Sequence, residues 1–315
     1  MKIHEGRIKP DNVDLYYTLS TYNFHYWFDG EKGIVILDEN APIIAMVSID
    51  GHYEIYSASI DTSIGLIEKM KWTLGIGEDV SGFYRLARSD PLLSLFASRY
   101  RGWRLRSTSL WWSLVIGVCQ QNASFRQGWG MLYDIVRLYN RRVLIGDKPV
   151  LLPPKPTDIL EKPELLLKAR TGYRWKTIVN IAEAINNGVI NPDEYQGLNP
   201  ERIEEELTRI KGVGKYTARL AILLAYRKYS LPPIDRWLKR IIMEVYHVDS
   251  EHAEKEWVKR WKEWSGLAAL AVTITLDAEP ISKALERIKK KQLLPIKTNK
   301  PTPINLWKTS RQWTT

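Results

Sequence analysis

The sequence predicts an α+β protein, with an N-terminal antiparallel β-sheet domain followed by a mostly α-helical domain. Three observations carry that prediction. Residues 14–60 are rich in β-formers and are broken by the turn signals DGEKG and IDG. From Asp90 onward, apolar residues recur at helical spacing. No segment repeats at a fixed period, so the helices are not an array.

Taken in order, LYYTLSTYNFHYWF, IVILDE and IIAMVSIDGHYEIYSAS alternate and predict a sheet of four or five strands. A helix is expected around SIGLIEKMKWTL. LLSLFASRY, SLWWSLVIGVCQQ and FRQGWGMLYDIVRLYN then follow helical spacing. KPVLLPPKPTDI has four prolines in twelve residues and reads as a connection. Helices resume at PELLLKA, TIVNIAEAINNG, ERIEEELTRI, YTARLAILLAYRKY, IDRWLKRIIMEVY, EHAEKEWVKRWKEW and LAALAVTITLDAEPISKALERIKKK. The tail from Leu294 to Thr315 is basic, has three prolines and no strong period, and is expected to pack loosely or to order on binding. The expected units are 1–88, 89–285 with two helical lobes around a cleft, and a basic extension over 286–315.

At 315 residues and 44% hydrophobic content, the chain can build real cores. It has no apolar run long enough to span a bilayer, and MKIHEGRIKP lacks a signal-peptide core, so a soluble intracellular protein of cytoplasm or nucleoid, with no membrane partner, is expected. A net charge of +10 and a pI near 9.4 favour a polyanionic partner. One cysteine, Cys119, excludes an internal disulfide, a cysteine-rich zinc site and a four-cysteine iron–sulfur cluster. The five histidines are scattered, and His247 and His252 sit in a polar stretch that suits solvation better than metal ligation. Tryptophan is frequent, at 13 residues, with Trp103, Trp175, Trp237 and Trp261 in basic surroundings. Most are expected in cores, with one or two stacking on bases.

The most informative segment runs from Ile203 to Ile242: IEEELTRIKGVGKYTARLAILLAYRKYSLPPIDRWLKRII. It reads as helix, hairpin, helix, short loop, and an Asp opening another helix. The hairpin is Lys211-Gly212-Val213-Gly214-Lys215. Its glycines permit a tight turn and close backbone approach. The amides of the following helix then offer an anion site that suits a DNA phosphate, flanked by Lys211 and Lys215. Asp235 lies 21 residues after Gly214.

This stretch closely resembles the helix-hairpin-helix (HhH-GPD) DNA glycosylase superfamily. Gly212, Val213 and Gly214 match its hairpin, Thr217 and Ala218 its second helix, and Asp235 its catalytic aspartate. Asp90-Pro91 with SLWWSLVIGVCQQNAS resembles the first core helix ending in a Gln/Asn-rich turn. Residues Thr171 to Lys176, TGYRWK, resemble a turn of the 8-oxoguanine and alkylbase (3-methyladenine) branch, which also carries an extra N-terminal sheet. Trp264 to Ala268 resemble a late helix with its Gly. The resemblance covers roughly residues 14–285.

The resemblance implies a DNA repair enzyme that flips a damaged or mismatched base from double-stranded DNA and breaks its N-glycosidic bond. Asp235 is then the catalytic carboxylate, also placed to cap a helix. Lys211, Gly212, Val213, Gly214, Lys215 and Arg236 are implied DNA contacts. Gln121, with neighbours Gln120 and Asn122, is the implied wedge that fills the gap, although a helix C-cap would also suit these residues. The family's bifunctional members carry a Lys where this chain has Tyr216, which predicts weak or absent lyase activity and a base-pocket role for Tyr216. Trp237 stands where the family has a His, so Arg236 or Lys239 is expected to supply that phosphate contact. No cofactor is implied beyond a monovalent cation at the hairpin carbonyls, no iron–sulfur cluster can form, and a monomer is expected. Aromatic abundance favours alkylated or deaminated purines, then 8-oxoguanine, then mismatched thymine or uracil. A helix-hairpin-helix module that only holds DNA remains an alternative, and a sheet-based RNA binder is disfavoured by the lack of aromatic RNP signatures.

Overall fold

The computed structural model describes residues 1–24, 27–57, 65–145 and 148–309. Parts of the predicted segments at 25–26, 58–59 and 63–64, and the end of the tail at 310–315, lie outside the described residues.

The N-terminal part contains β1 (Lys2–Arg7), α1 (Leu15–Ser20), β2 (Lys32–Asp38), β3 (Ile43–Ser48), β4 (His52–Tyr56) and α2 (Leu66–Leu74). The four strands form one antiparallel sheet in the order β1-β4-β3-β2. Two details differ from the sequence expectation. LYYTLS is a helix, because the Asp14 side chain accepts from the Tyr17 amide at 2.9 Å and caps it. The missing strand comes instead from the polar KIHEGR, an exposed edge whose pattern carries little apolar signal.

Both faces of this sheet are covered, and alternate residues serve different cores. Val35, Leu37, Ile43, Ala45 and Val47 join Leu15, Leu19, Met70 and Leu74 in a small core. Ile34 and Ile44 point the other way and join the large helical core.

The helical part continues with α3 (Ser81–Ser89), α4 (Ser94–Arg99), α5 (Leu110–Gln120), α6 (Phe125–Tyr139), a hairpin of β5 (Arg141–Ile145) and β6 (Lys148–Leu152), α7 (Pro156–Glu161), α8 (Glu164–Lys168), α9 (Arg174–Asn186), α10 (Pro200–Thr208), α11 (Lys215–Tyr226), α12 (Arg236–Tyr246), α13 (Ala253–Trp261), α14 (Ser265–Thr275), α15 (Ile281–Lys289) and α16 (Leu306–Thr309). The proline-rich connection therefore begins as a strand; its Pro149 pairs with Leu144, and the following prolines end it. The long C-terminal helix is broken in two: Asp277 and Ala278 adopt φ of 56° and 51°, and Pro280 precedes α15.

Helix α5 is apolar on every side and is the central rod of the helical core. Its Gly117 permits close contact with α11: a Cβ there would lie 2.9 Å from Thr217 Cγ2. This crossing aligns the C-terminal end of α5 with the N-terminal end of α11.

The expectation of a loosely packed tail does not hold over residues 298–309. Pro303 O accepts from the Tyr22 amide at 2.6 Å. Asn305 Nδ2 donates to the carbonyls of Thr298 and Lys300, and Asn305 Oδ1 accepts from the Thr302 amide. Leu306 is fully buried, and Trp307 sits edge-on against Phe28 at 5.0 Å. Low hydropathy concealed one strong apolar anchor, Leu306-Trp307.

Candidate active site

The hairpin lies where the motif put it, between α10 and α11. Gly212 has φ +94°, and a Cβ there would overlap Thr177 Oγ1. Val213 is buried and anchors the turn. Asn180 Nδ2 donates to Lys211 O at 3.0 Å, and the Val213 amide donates to Ile210 O at 3.0 Å. The turn is thus held by one backbone bond of its own and by one from Asn180 of α9.

Gly214 has a different task. Its backbone is extended, with φ −97° and ψ 173°, and nothing lies within 4 Å of where a Cβ would be. It begins α11 without a side-chain cap. The first-turn amides of α11 therefore have no capping side chain, and the positive end of the helix dipole lies there.

Asp235 caps α12: its Oδ1 accepts from the Leu238 amide at 2.8 Å. The two prolines before it, Pro232 and Pro233, stiffen the approach. The carboxyl group opens onto a cavity yet is crowded by protein, and this desolvation raises its pKa, opposed by backbone amides including those of Leu238 and Trp237.

That cavity, of about 560 Å³, lies between the sheet domain, α5, α6, the start of α11, α12 and the tail. Tyr216, the second residue of α11, lines it together with Asp235. Burial raises the Tyr216 hydroxyl's pKa, and the Asp235 charge adds to the rise. Tyr22 stacks on Trp129 at 5.9 Å between centroids and is tilted against Phe125. Its hydroxyl pKa is raised by burial and then by Tyr216. Asp235, Tyr216 and Tyr22 thus all face the same cavity. Tyr22, Phe125, Trp129 and Arg106 escaped the sequence reading. They come from three distant segments, and each looks locally like a core or loop residue.

The other predicted residues divide. Lys215 is exposed and does not line the cavity. Arg236 and Lys211 are exposed on the hairpin side, while Trp237 is a cavity wall whose Nε1 donates to Glu279 O at 2.7 Å. Gln120 lines the cavity beside Gly128. Gln121 is not a free wedge here: its Nε2 donates to Thr217 Oγ1 at 2.6 Å and reaches Gly212 O at 3.4 Å, so it braces the hairpin. Asn122, exposed with φ +46°, is the residue left at the tip. Arg174 of the GYR turn grips this tip, donating to Gln121 O and, at 3.3 Å, to Asn122 O.

Around the cleft, Arg126, Lys211, Lys215, Arg236, Lys283 and Lys300 are exposed, and none forms an ion pair among the described residues. Other arginines are neutralised by carboxylates, as Arg219 is by Glu204 and Glu254 and Arg287 by Asp277 and Glu279. These six unpaired charges give the cleft rim a positive potential that suits an anionic partner. Among the described residues no helix is long and apolar enough to cross a membrane, and no group of three or more His, Cys, Asp or Glu could hold a metal.

No protein-family model matches the chain. The DNA-3-methyladenine glycosylase of Bacillus subtilis (strain 168) is 24% identical over 206 residues, covering 61% of this chain and 66% of the relative. The chain thus spans just under two thirds of that relative's length. The Archaeoglobus fulgidus 3-methyladenine DNA glycosylase structure superposes with a TM-score of 0.69 at 18% identity, over 85% of this chain and 97% of that one. The apo Clostridium acetobutylicum 8-oxoguanine glycosylase/lyase gives 0.67 at 19%, over 86% and 97%. With the hairpin leading into α11, and Tyr216 of that helix and the capping Asp235 on one cavity, the chain has the fold of the helix-hairpin-helix DNA glycosylases.

Proposed function

We propose that the protein is a DNA glycosylase that removes a damaged base, an alkylated or deaminated purine in the first instance, from duplex DNA. The observation that carries this reading is convergence: the uncapped start of α11 and the Asp235 carboxyl meet at one cavity through Tyr216.

The unpaired cations around the cleft draw in the phosphate backbone and release its counterions. The α11 amides at Gly214 hold one phosphate and fix the register. The target nucleotide then rotates out, at a cost of a few kcal/mol that is smaller for a damaged base. Its base enters between Tyr216, Tyr22 and Trp129, and Asn122 at the braced tip faces the space it leaves. As the glycosidic bond lengthens, positive charge builds on C1′ and the ring oxygen. The Asp235 carboxylate stabilises that charge and orients a water. Water oxygen bonds to C1′, its proton is released, and the base departs with the bonding electrons and takes up a proton.

The relatives are named for 3-methyladenine and 8-oxoguanine, which supports these as base classes. Tyr216 in the lysine slot, with Lys215 off the cavity, supports simple hydrolysis with little strand cleavage. The test is a panel of duplexes, each with one altered base, incubated with the protein and then with alkali. Alkali-dependent cleavage at the altered base, with little covalent adduct trapped by borohydride, is expected. No cleavage on any duplex, despite DNA binding, would leave only a binding role.

A further inference from the structure

Gln121 ends α5, and its amide, its carbonyl and its side-chain nitrogen are all committed. The amide donates to Val118 O at 3.2 Å and closes the helix. Nε2 donates to Thr217 Oγ1 at 2.6 Å and, over a longer 3.4 Å, to Gly212 O. The carbonyl accepts from Arg174 Nε at 3.2 Å and from Arg174 Nη2. The next residue is unlike it. Asn122 lends its carbonyl to Arg174, but its side chain is exposed and has no partner among the described residues.

Two helix faces hold this junction. On α5, Gly117 and Gln121 are four residues apart and share a face. Gly117 lets Thr217 approach, and Gln121 bonds it. On α9, Arg174, Thr177 and Asn180 follow at intervals of three. Arg174 holds the tip of α5, Thr177 lies against Gly212, and Asn180 Nδ2 donates to Lys211 O at 3.0 Å. Arg174 also sets a positive charge against the carbonyl end of α5, where the helix dipole is negative. The tip of α5, the face of α9 and the hairpin are therefore each tied to the other two. The Gln121 side-chain amide is the tie between the tip and α11.

Resting on the glycosylase reading, we propose that Gln121 is a positioning residue for base extrusion: it fixes the Asn122 side chain relative to the start of α11, so that a phosphate held there sets where Asn122 enters the duplex. Gln121 itself does not enter. To do so its amide would have to leave two acceptors, one of them on the fully buried Thr217.

Magnitude limits the effect. One neutral hydrogen bond is worth about fivefold in an equilibrium, and the longer contact less. Turning a paired base out of the stack costs more than one such bond, and a base without a pairing partner costs least. Losing the tie therefore slows extrusion without abolishing it, and the loss falls on paired bases.

The experiment uses the full chain and two duplexes that carry hypoxanthine. In one it lies opposite cytosine, its pairing partner. In the other it lies opposite a tetrahydrofuran abasic analogue, which leaves it unpaired. Where the duplex panel yields a different base, that base takes its place in both. Gln121→Met keeps the length of the side chain and removes its amide. At saturating protein, single-turnover release by Gln121→Met should fall about fivefold to tenfold on the paired duplex and about twofold at most on the unpaired one. 2-Aminopurine at the target position, which brightens when it leaves the stack, should brighten less with Gln121→Met than with the wild type on the paired duplex. Affinity for an undamaged duplex should stay within about twofold, because the α11 amides are untouched. Thr217→Val removes the acceptor from the other side. It should give the same pattern, and the double variant should add little. An equal fall on both duplexes, or no fall on the paired one, overturns the proposal and leaves the glycosylase reading intact. If Gln121→Met does not fold, Thr217→Val decides by the same ratio. Wild-type protein that releases no base from any duplex removes the glycosylase reading and this proposal with it.

Discussion

Asp235 holds two positions at once, as helix cap and as the carboxylate of the cavity, and the two make different demands. Capping asks only for an oxygen, which Asn supplies as well as Asp. The chemistry asks for negative charge. Asp235→Asn should therefore fold and bind DNA but lose ~10²-fold or more of base release, measured in single turnover. Stability moves the other way. Burial raises the folded-state pKa of Asp235, so the folded chain holds that proton more tightly than the unfolded one. Its contribution declines as pH rises from the ordinary Asp range through the raised folded value, and the penalty persists above it. Melting temperature at pH 7 should rise slightly in Asp235→Asn, and the gain should shrink at pH 4. Activity of the wild type should fall as pH drops through the same raised value. Asp235 and the hairpin were legible because the motif is contiguous and its spacing is physical. Arg106 and Tyr22 were not, because a cavity wall drawn from separate segments leaves no local pattern.

The hairpin separates two kinds of glycine at the scale of an element. Gly212→Ala forces a side chain into positive φ and onto Thr177, and should destabilise the fold by about 2 kcal/mol in denaturant unfolding. Gly214→Ala meets no protein atom and needs no unusual backbone, so unfolding should barely change. The added methyl sits where a phosphate approaches the α11 amides, and DNA affinity should fall about tenfold in a titration of the folded variant. A Gly214→Ala protein with unchanged affinity would place the phosphate elsewhere. The sheet was legible from β2, β3 and β4, whose alternation feeds two cores. The edge strand β1 was not, since its residues are polar and exposed, and α1 was masked by aromatic residues that mimic a strand until Asp14 caps it.

Across the whole molecule, six exposed and unpaired cations around the cleft predict strongly salt-dependent binding. If most of them meet phosphates, log K against log salt should slope at about −4 to −5. Removing residues 298–315 should lower melting temperature and abolish base release together, because the segment buries Leu306 and Trp307 and lines the cavity through Thr298, Lys300, Pro301 and Thr302. Retained base release in that truncation would show that the cavity closes without it. Composition could announce a basic tail but not that it would be clamped, since one amide-to-carbonyl bond and two apolar side chains do the clamping.

That clamp sets an order of events during synthesis. Tyr22 leaves the ribosome well before Pro303, yet the two are hydrogen-bonded neighbours, and Tyr22, Pro301 and Thr302 line the cavity. The helical lobes can form on a nascent chain, but the chamber that receives a base cannot be sealed until translation has passed both. A partly made chain can therefore carry the hairpin and its charge before its cavity is complete, so on the proposed reading DNA contact would precede base release.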